Sequence, residues 1–235
     1  MTPSIRLYVP APLSEGVKIA AGDGQAHYLG GVMRRGVGDA VLLFNGTDGE
    51  WRATIAAIKR DRATFTVEAQ TRPQLPEPDL WLAFAPLKRD ATDLVVQKAT
   101  ELGAAAILPV ITARTNAARV NTERFAAIAA EAAEQCERLS VPRIAEPVAF
   151  ERLLRDWPPE RRLVLAAERA EAGPIRPVTG PVALMIGPEG GFTPQELDLA
   201  ARHPFVHMVS LGPRILRAET AAIVGLALLQ ASSGG

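Results

Sequence analysis

The segment Ile186-Gly187-Pro188-Glu189-Gly190-Gly191-Phe192 sets three glycines and a carboxylate between an apolar run and the start of a helix. Glycine permits positive φ and lets backbone N–H and C=O groups approach a ligand closely, so the loop suits a small molecule held largely by backbone. A tight strand-to-helix connection needs only one or two glycines. The segment Leu211-Gly212-Pro213-Arg214-Ile215-Leu216-Arg217-Ala218-Glu219-Thr220 repeats the order strand, glycine, helix. It sets Arg214 and Arg217 near a helix start, where the dipole disfavours cations unless an anion or a carboxylate is close. A salt bridge to Glu219 or Glu189 is the alternative use of these arginines. A third loop, Ala166-Ala167-Glu168-Arg169, leaves another apolar run and says little alone.

Other chemistries are poorly served. No glycine loop ends in Lys-Ser/Thr and no GxGxxG follows a strand, which argues against ATP hydrolysis and ordinary dinucleotide binding. His27, His203 and His207 are few and scattered, and Pro204 interrupts the one close pair, so no metal site is expected.

The elements that must carry these loops fall into two groups. Residues 6–9, 40–44, 50–58 and 63–68 read as short strands, with the turn Asn45-Gly46-Thr47-Asp48-Gly49 among them. They predict a small β-barrel or sandwich. Three prolines in Arg72-Pro73-Gln74-Leu75-Pro76-Glu77-Pro78 bar helix and central strand, and the domain boundary is placed there. Beyond it, apolar runs at 80–85, 106–110, 163–167, 182–186 and 206–211 alternate with helical spacing at 90–102, from the Asn121 cap to about 138, after 193, and at 218–230. Thr193-Pro194-Gln195-Glu196 is a capping box with proline at the first helical position. Continuously apolar strands alternating with helices predict a parallel sheet covered on both faces, with ligands at its carboxyl edge. The last helix is apolar nearly all round, so it should be buried, including at a subunit interface.

Composition adds limits. The 235 residues carry 26 Lys+Arg and 26 Asp+Glu, so the net charge is zero and any polyanion must be met by local patches. No apolar run is long enough to span a bilayer, no signal peptide is visible, and Cys136 is the only cysteine. A cytoplasmic protein without membrane contact is expected.

The two C-terminal loops, from Ile186 to Thr193 and from Leu211 to Ala221, closely resemble the corresponding motifs of the RsmE family, ribosomal RNA small subunit methyltransferase E. Upstream, Gln97-Lys98-Ala99-Thr100-Glu101-Leu102-Gly103, the block from Glu131 to Arg138 with Pro142, and the block from His27 to Asp39 resemble that family's remaining motifs in the same order. Cys136 stands where a small hydroxyl residue is usual, and Gly30-Gly31 departs within the N-terminal block.

The resemblance implies an α/β chain of two domains. A PUA-like β-barrel that binds RNA would occupy 1–72, a proline-rich linker 73–79, and a SPOUT methyltransferase domain with a C-terminal trefoil knot 80–235. It implies a homodimer that uses S-adenosylmethionine to methylate N3 of one uridine in 16S ribosomal RNA of the small subunit. Carried onto this sequence, the donor site would comprise Leu165 and Ala166, then Gly187, Glu189 and Gly190, then Leu211, Gly212, Ile215 and Leu216. Arg217 would stabilise charge on the uracil oxygens as N3 loses its proton, and Glu189 is the candidate base. Arg6, Arg34 and Arg35 could form an N-terminal patch for RNA phosphate. Ribose 2′-O-methylation, or a non-catalytic RNA-binding assembly role, are the alternatives.

Overall fold

The structure is a computed structural model and describes residues 5–22, 24–116, 120–167, 172–176 and 178–231. Glu168 and Arg169, named above in the third loop, lie outside the described residues. The chain divides into two compact units. One runs to Pro76 and takes in Ala133–Val141 as well; the other comprises Glu77–Ala132 and the chain from Pro142 onward. A single boundary in the proline-rich segment does not capture that division, because the chain returns to the first unit once.

The first unit is built on a five-stranded sheet. Its strands are β1 (Arg6–Tyr8), β2 (Lys18–Ala20), β3 (Ala40–Phe44), β4 (Glu50–Lys59) and β5 (Arg62–Arg72), in the order β1-β3-β4-β5-β2. β1 pairs with β3 in parallel and the other pairings are antiparallel. Alternation sends Leu7, Leu43, Ile55 and Phe65 into one buried cluster. Between β2 and β3 lie a short helix, α1 (Gln25–His27), and a π turn over Tyr28–Val32 that no sequence period announces. The turn between β3 and β4 works as its composition predicts: Asn45 Oδ1 accepts from the N–H groups of Thr47 and Asp48 at 3.0 and 2.8 Å. Gly49 has φ +78°, and a Cβ there would lie 2.2 Å from the Arg72 carbonyl oxygen, so only glycine fits.

The second unit contains β6 (Leu80–Phe84), α2 (Arg89–Glu101), β7 (Ala106–Ile111), α3 (Thr122–Gln135), β8 (Arg143–Ile144), β9 (Val148–Ala149) and α4 (Phe150–Arg155). It continues with β10 (Arg162–Ala166), β11 (Gly173–Pro174), β12 (Val182–Ile186), α5 (Pro194–Ala201), β13 (Val206–Ser210) and α6 (Ala218–Ala231). The sheet order among the described residues is β11-β13-β10-β12-β6-β7-β8, with β9 also beside β7, and every pairing is parallel. This is the expected parallel sheet, and its central strands are buried as their composition requires: all five residues of β12 are inside.

Helix ends follow local chemistry. Asn121 Oδ1 caps α3 by accepting from Arg124 N at 2.9 Å. The helix stops at Gln135, a little short of the expected 138, and Glu137 takes φ +60° in the turn that follows. The last helix differs from expectation in one respect. Ala218, Ala222, Gly225, Leu226 and Leu229 are buried, but Ile223 and Val224 are only half-buried and Leu228 is 42% exposed. An apolar stripe on α6 therefore faces outward. On its inner face Gly225 lies so close to β12 that a Cβ would stand 2.6 Å from Leu184 Cδ2.

Candidate active site

Five neighbouring strands of the second unit, β13-β10-β12-β6-β7, run parallel, so their carboxyl ends lie along one edge. Their register keeps those ends level: Ala166 pairs with Ile186 and Val209, Ile186 with Phe84, and Phe84 with Pro109. The loops that leave them therefore gather into one place, the expected site for a ligand in such a sheet. A cavity of about 1090 Å³ lies there, lined by the loops after β10, β12 and β13 together with Lys88 and Arg114.

The glycine loop after β12 is shaped by its neighbours. Gly191 takes φ +67°, and its N–H donates to the Pro188 carbonyl at 2.8 Å, closing a tight turn around Glu189 and Gly190. A Cβ on Gly187 would lie 2.9 Å from the Phe192 ring, which is held in turn against Phe150 at 5.4 Å between centroids. The turn is anchored by the capping box at α5. Thr193 Oγ1 accepts from Glu196 N at 3.2 Å, and Glu196 Oε2 accepts from Thr193 N at 2.8 Å.

The other oxygen of that carboxylate has a second task. Glu196 Oε1 accepts from Ala113 N at 2.8 Å, which ties the loop after β7 to the start of α5. The next residue, Arg114, then reaches Gly190: its Nη1 donates to the Gly190 carbonyl at 2.7 Å, and its aliphatic stem covers Gly190 so closely that a Cβ would lie 3.3 Å from Arg114 Cδ. Lys88 comes from the loop after β6. Thr92 fixes that loop, accepting from Leu87 N at 2.8 Å and donating to Leu87 O at 3.0 Å.

Most sequence-derived candidates meet here. Ala166, Gly187, Glu189, Gly190, Leu211, Gly212, Ile215, Leu216 and Arg217 all line the cavity. Leu165 does not. It is wholly buried in the core cluster that also holds Leu163, Ala183 and Met185, because adjacent strand residues point to opposite faces. Glu189 and Arg217 are both exposed, and among the described residues neither enters an ion pair, so the expected alternative of a salt bridge between them is not formed.

Sequence reasoning missed Lys88 and Arg114. Lys88, next to Arg89, and Arg114 lie in unremarkable loops, and only the sheet order brings them to the glycine loop. The cavity thus carries Lys88, Arg114, Arg214 and Arg217 against Glu189 and Glu219, an excess of positive charge on a chain whose net charge is zero. Backbone-rich walls and small side chains at Ala166, Ala167, Gly187 and Gly212 leave room for an adenosine-sized ligand, so the residues present fit a nucleoside-bearing methyl donor.

The N-terminal arginines separate. Arg34, with φ +54°, is exposed, and Arg35 is half-buried, in a loop that also exposes Val32, Met33 and Val37. Arg6 does not join them. It is 8% exposed; its Nε donates to Glu50 Oε2 at 2.7 Å, and its other nitrogens donate to the carbonyls of Ala133, Glu134 and Arg138. The expected RNA patch therefore loses Arg6, whose donors are spent on a buried carboxylate and on the carbonyl groups that the end of α3 leaves open.

Comparison with known proteins agrees with this geometry. A family model described as RNA methyltransferase domain matches residues 73–230, and one described as RNA methyltransferase PUA domain matches 22–68. Ribosomal RNA small subunit methyltransferase E of Rickettsia conorii is 37% identical over 94% of this chain and 93% of its own length. That of Synechocystis is 35% identical over 88% and 71%. Among solved structures, a ribosomal RNA small subunit methyltransferase E from Neisseria gonorrhoeae bound to S-adenosyl methionine superposes with TM-score 0.87 at 30% identity, covering 98% of each chain. A putative methyltransferase from Legionella pneumophila in complex with the same cofactor gives 0.88 at 32% identity over the whole of both chains.

Proposed function

This chain belongs to the ribosomal RNA small subunit methyltransferase E family, and from that membership we propose that it methylates N3 of a specific uridine in 16S ribosomal RNA, with S-adenosylmethionine as donor. The observation that carries the reading is the convergence of both glycine loops on one cavity at the carboxyl edge of the parallel sheet. When bound, the donor supplies a methyl group already activated by its sulfonium. The chain's task is to bind and orient, and to help a weakly acidic imide lose its proton.

Ala166, Gly187, Gly190, Leu211, Gly212, Ile215 and Leu216 are assigned to donor binding, through backbone groups and an apolar slot that need no fixed charge. Arg217 is assigned to the uracil carbonyl oxygens. A guanidinium there stabilises the negative charge that grows as N3 is deprotonated, and having no carboxylate partner among the described residues leaves it available for that role. Glu189, which lines the same cavity, is assigned as the group that accepts the N3 proton. We read the crossings among β10, β12 and β13 as the family's trefoil knot, which would hold the three ligand loops together.

Recognition of the RNA is assigned in part to the loop bearing Arg34 and Arg35, whose apolar neighbours Val32, Met33 and Val37 suit contact with nucleotide surfaces. The outward apolar stripe of α6 supports a homodimer, since a second copy would cover it. No helix among the described residues is long and apolar enough to cross a membrane. A cytoplasmic enzyme acting on the small ribosomal subunit accords with that.

The test is transfer of labelled methyl groups to small-subunit particles and to naked 16S RNA, followed by nucleoside analysis. Label on the uracil base supports the reading. Label on ribose would instead establish the 2′-O reaction, and donor binding without transfer to either substrate would favour an assembly role.

A further inference from the structure

A second cavity, about 330 Å³, adjoins the donor cavity and shares Lys88, Arg114, Glu189 and Gly190 with it. Two reactants that must meet need adjoining spaces with a common wall, and here the common wall carries the proposed proton acceptor. Among the described residues neither cation on that wall enters an ion pair, with Glu189 or with any other carboxylate. Among the described residues Lys88 enters no ion pair, and it caps the N-terminus of α2, where a cation is disfavoured unless an anion approaches. Among the described residues Arg114 uses one of its five N–H donors, on the Gly190 carbonyl, and is otherwise exposed without a carboxylate partner.

Resting on the reaction given above, we propose that the smaller cavity is the subsite for the target nucleotide, and that Lys88 and Arg114 hold the phosphates beside the uridine. Arg114 has a second part to play as a positioning residue. Its bond to the Gly190 carbonyl fixes the wall that donor and nucleotide share, so the group that holds the RNA also sets the spacing between the reactants. The site would take a single-stranded ribonucleotide segment with the target base turned into the cavity and its backbone across the two cations. Asn116, which lines the smaller cavity, offers an amide that can donate to a base carbonyl.

The experiment uses the full chain with Lys88→Ala, Arg114→Ala and Arg114→Lys, and measures three quantities: donor affinity by calorimetry, affinity for small-subunit particles by titration across a salt series, and methyl transfer. Lys88→Ala is expected to weaken particle binding about tenfold and to make its log–log salt dependence shallower by about 0.7, the share of one phosphate contact on a single strand, while donor affinity is unchanged. Arg114→Ala should weaken particle binding and flatten its salt slope likewise and, through release of Gly190, also lower kcat and donor affinity. Arg114→Lys keeps the charge and should restore the salt slope but not kcat. Unchanged particle affinity and salt slope in Lys88→Ala and Arg114→Ala would overturn the proposal, as would losses confined to donor affinity. If the unaltered protein transfers no methyl group, the proposed reaction fails by that result, and the particle titrations still decide the subsite.

Discussion

Arg6 and Glu50 form a buried ion pair, Nε to Oε2 at 2.7 Å with both side chains 5% exposed, and the rest of the Arg6 guanidinium donates to the carbonyls of Ala133 and Glu134 in the last turn of α3 and of Arg138 just beyond it. Thr71 Oγ1 completes the arrangement by donating to Glu50 Oε1 at 2.9 Å. Removing Arg6 leaves the buried Glu50 with only the half-exposed Arg72, 3.6 Å away, as counter-charge, and leaves the carbonyls without donors. Arg6→Ala should therefore lower stability by about 3–5 kcal/mol, read from denaturant unfolding of the intact chain. Adding Glu50→Gln to it should recover part of the loss; no recovery would mean that the carbonyl contacts dominate.

Arg217→Ala tests the catalytic assignment. The expected outcome is a fall in kcat of about 10²–10³ with donor affinity retained, measured by single-turnover methyl transfer beside calorimetric titration. An equal loss in both would assign Arg217 to holding the loop.

Glu196 joins two loops with one carboxylate, so Glu196→Ala should act on both. Loss of the cap alone costs about 1 kcal/mol. Release of Ala113 should in addition loosen Arg114 and with it Gly190, and the measurable sign is weaker donor binding. Thr193→Ala removes only the cap and is the control. If it weakens donor binding as much as Glu196→Ala does, the link through Ala113 has no functional weight.

Asp93 responds to pH in a definite direction. Hydrogen bonding from Arg124 holds its pKa below the ordinary 3.8, so the pair between α2 and α3 contributes stability above that value. The contribution is lost as pH falls through the lowered folded pKa. Asp93→Asn should thus be less stable than the natural chain near neutrality, and the two should converge in acid. Thermal unfolding at both conditions checks this, and a constant difference would refute the linkage.

Arg34 and Arg35 together should account for part of the salt dependence of RNA binding. The double alanine variant is expected to flatten the slope by about 0.7 for each phosphate contact removed, with donor affinity intact. An unchanged slope would leave these arginines as ordinary surface charges.

What the sequence disclosed follows from where its signals lie. The loops at 187–191 and 211–217 were legible because their glycines and arginines are contiguous in the chain and sit between an apolar strand and a helix start. The capping box was legible for the same reason, but only for one of the two Glu196 oxygens. Lys88, Arg114 and the partner of the other oxygen were hidden, since they belong to loops far apart in sequence that the strand order alone brings together. Arg6 misled because a single arginine among the apolar residues of a short strand gives no sign of what it pairs with; its carboxylate lies 44 residues away and its carbonyl partners 127 to 132 away. The short pieces β8 and β9 are set by pairing with β7 and α4 by the burial of Phe150 and Leu154, with too few residues in any of them to show a period.

The return of the chain to the first unit at Ala133–Val141 has a consequence for any attempt to divide the protein. A protease that cuts the proline segment produces two polypeptides, yet the shorter one still grips the end of α3 through Arg6, Tyr8 and Phe44. The nicked molecule should travel as one species until it is denatured. A gene fragment ending at Pro76, by contrast, would keep the Arg6–Glu50 pair but leave Phe44 uncovered and the remaining Arg6 donors without their carbonyls, so complementation by the remainder is the condition under which it should fold.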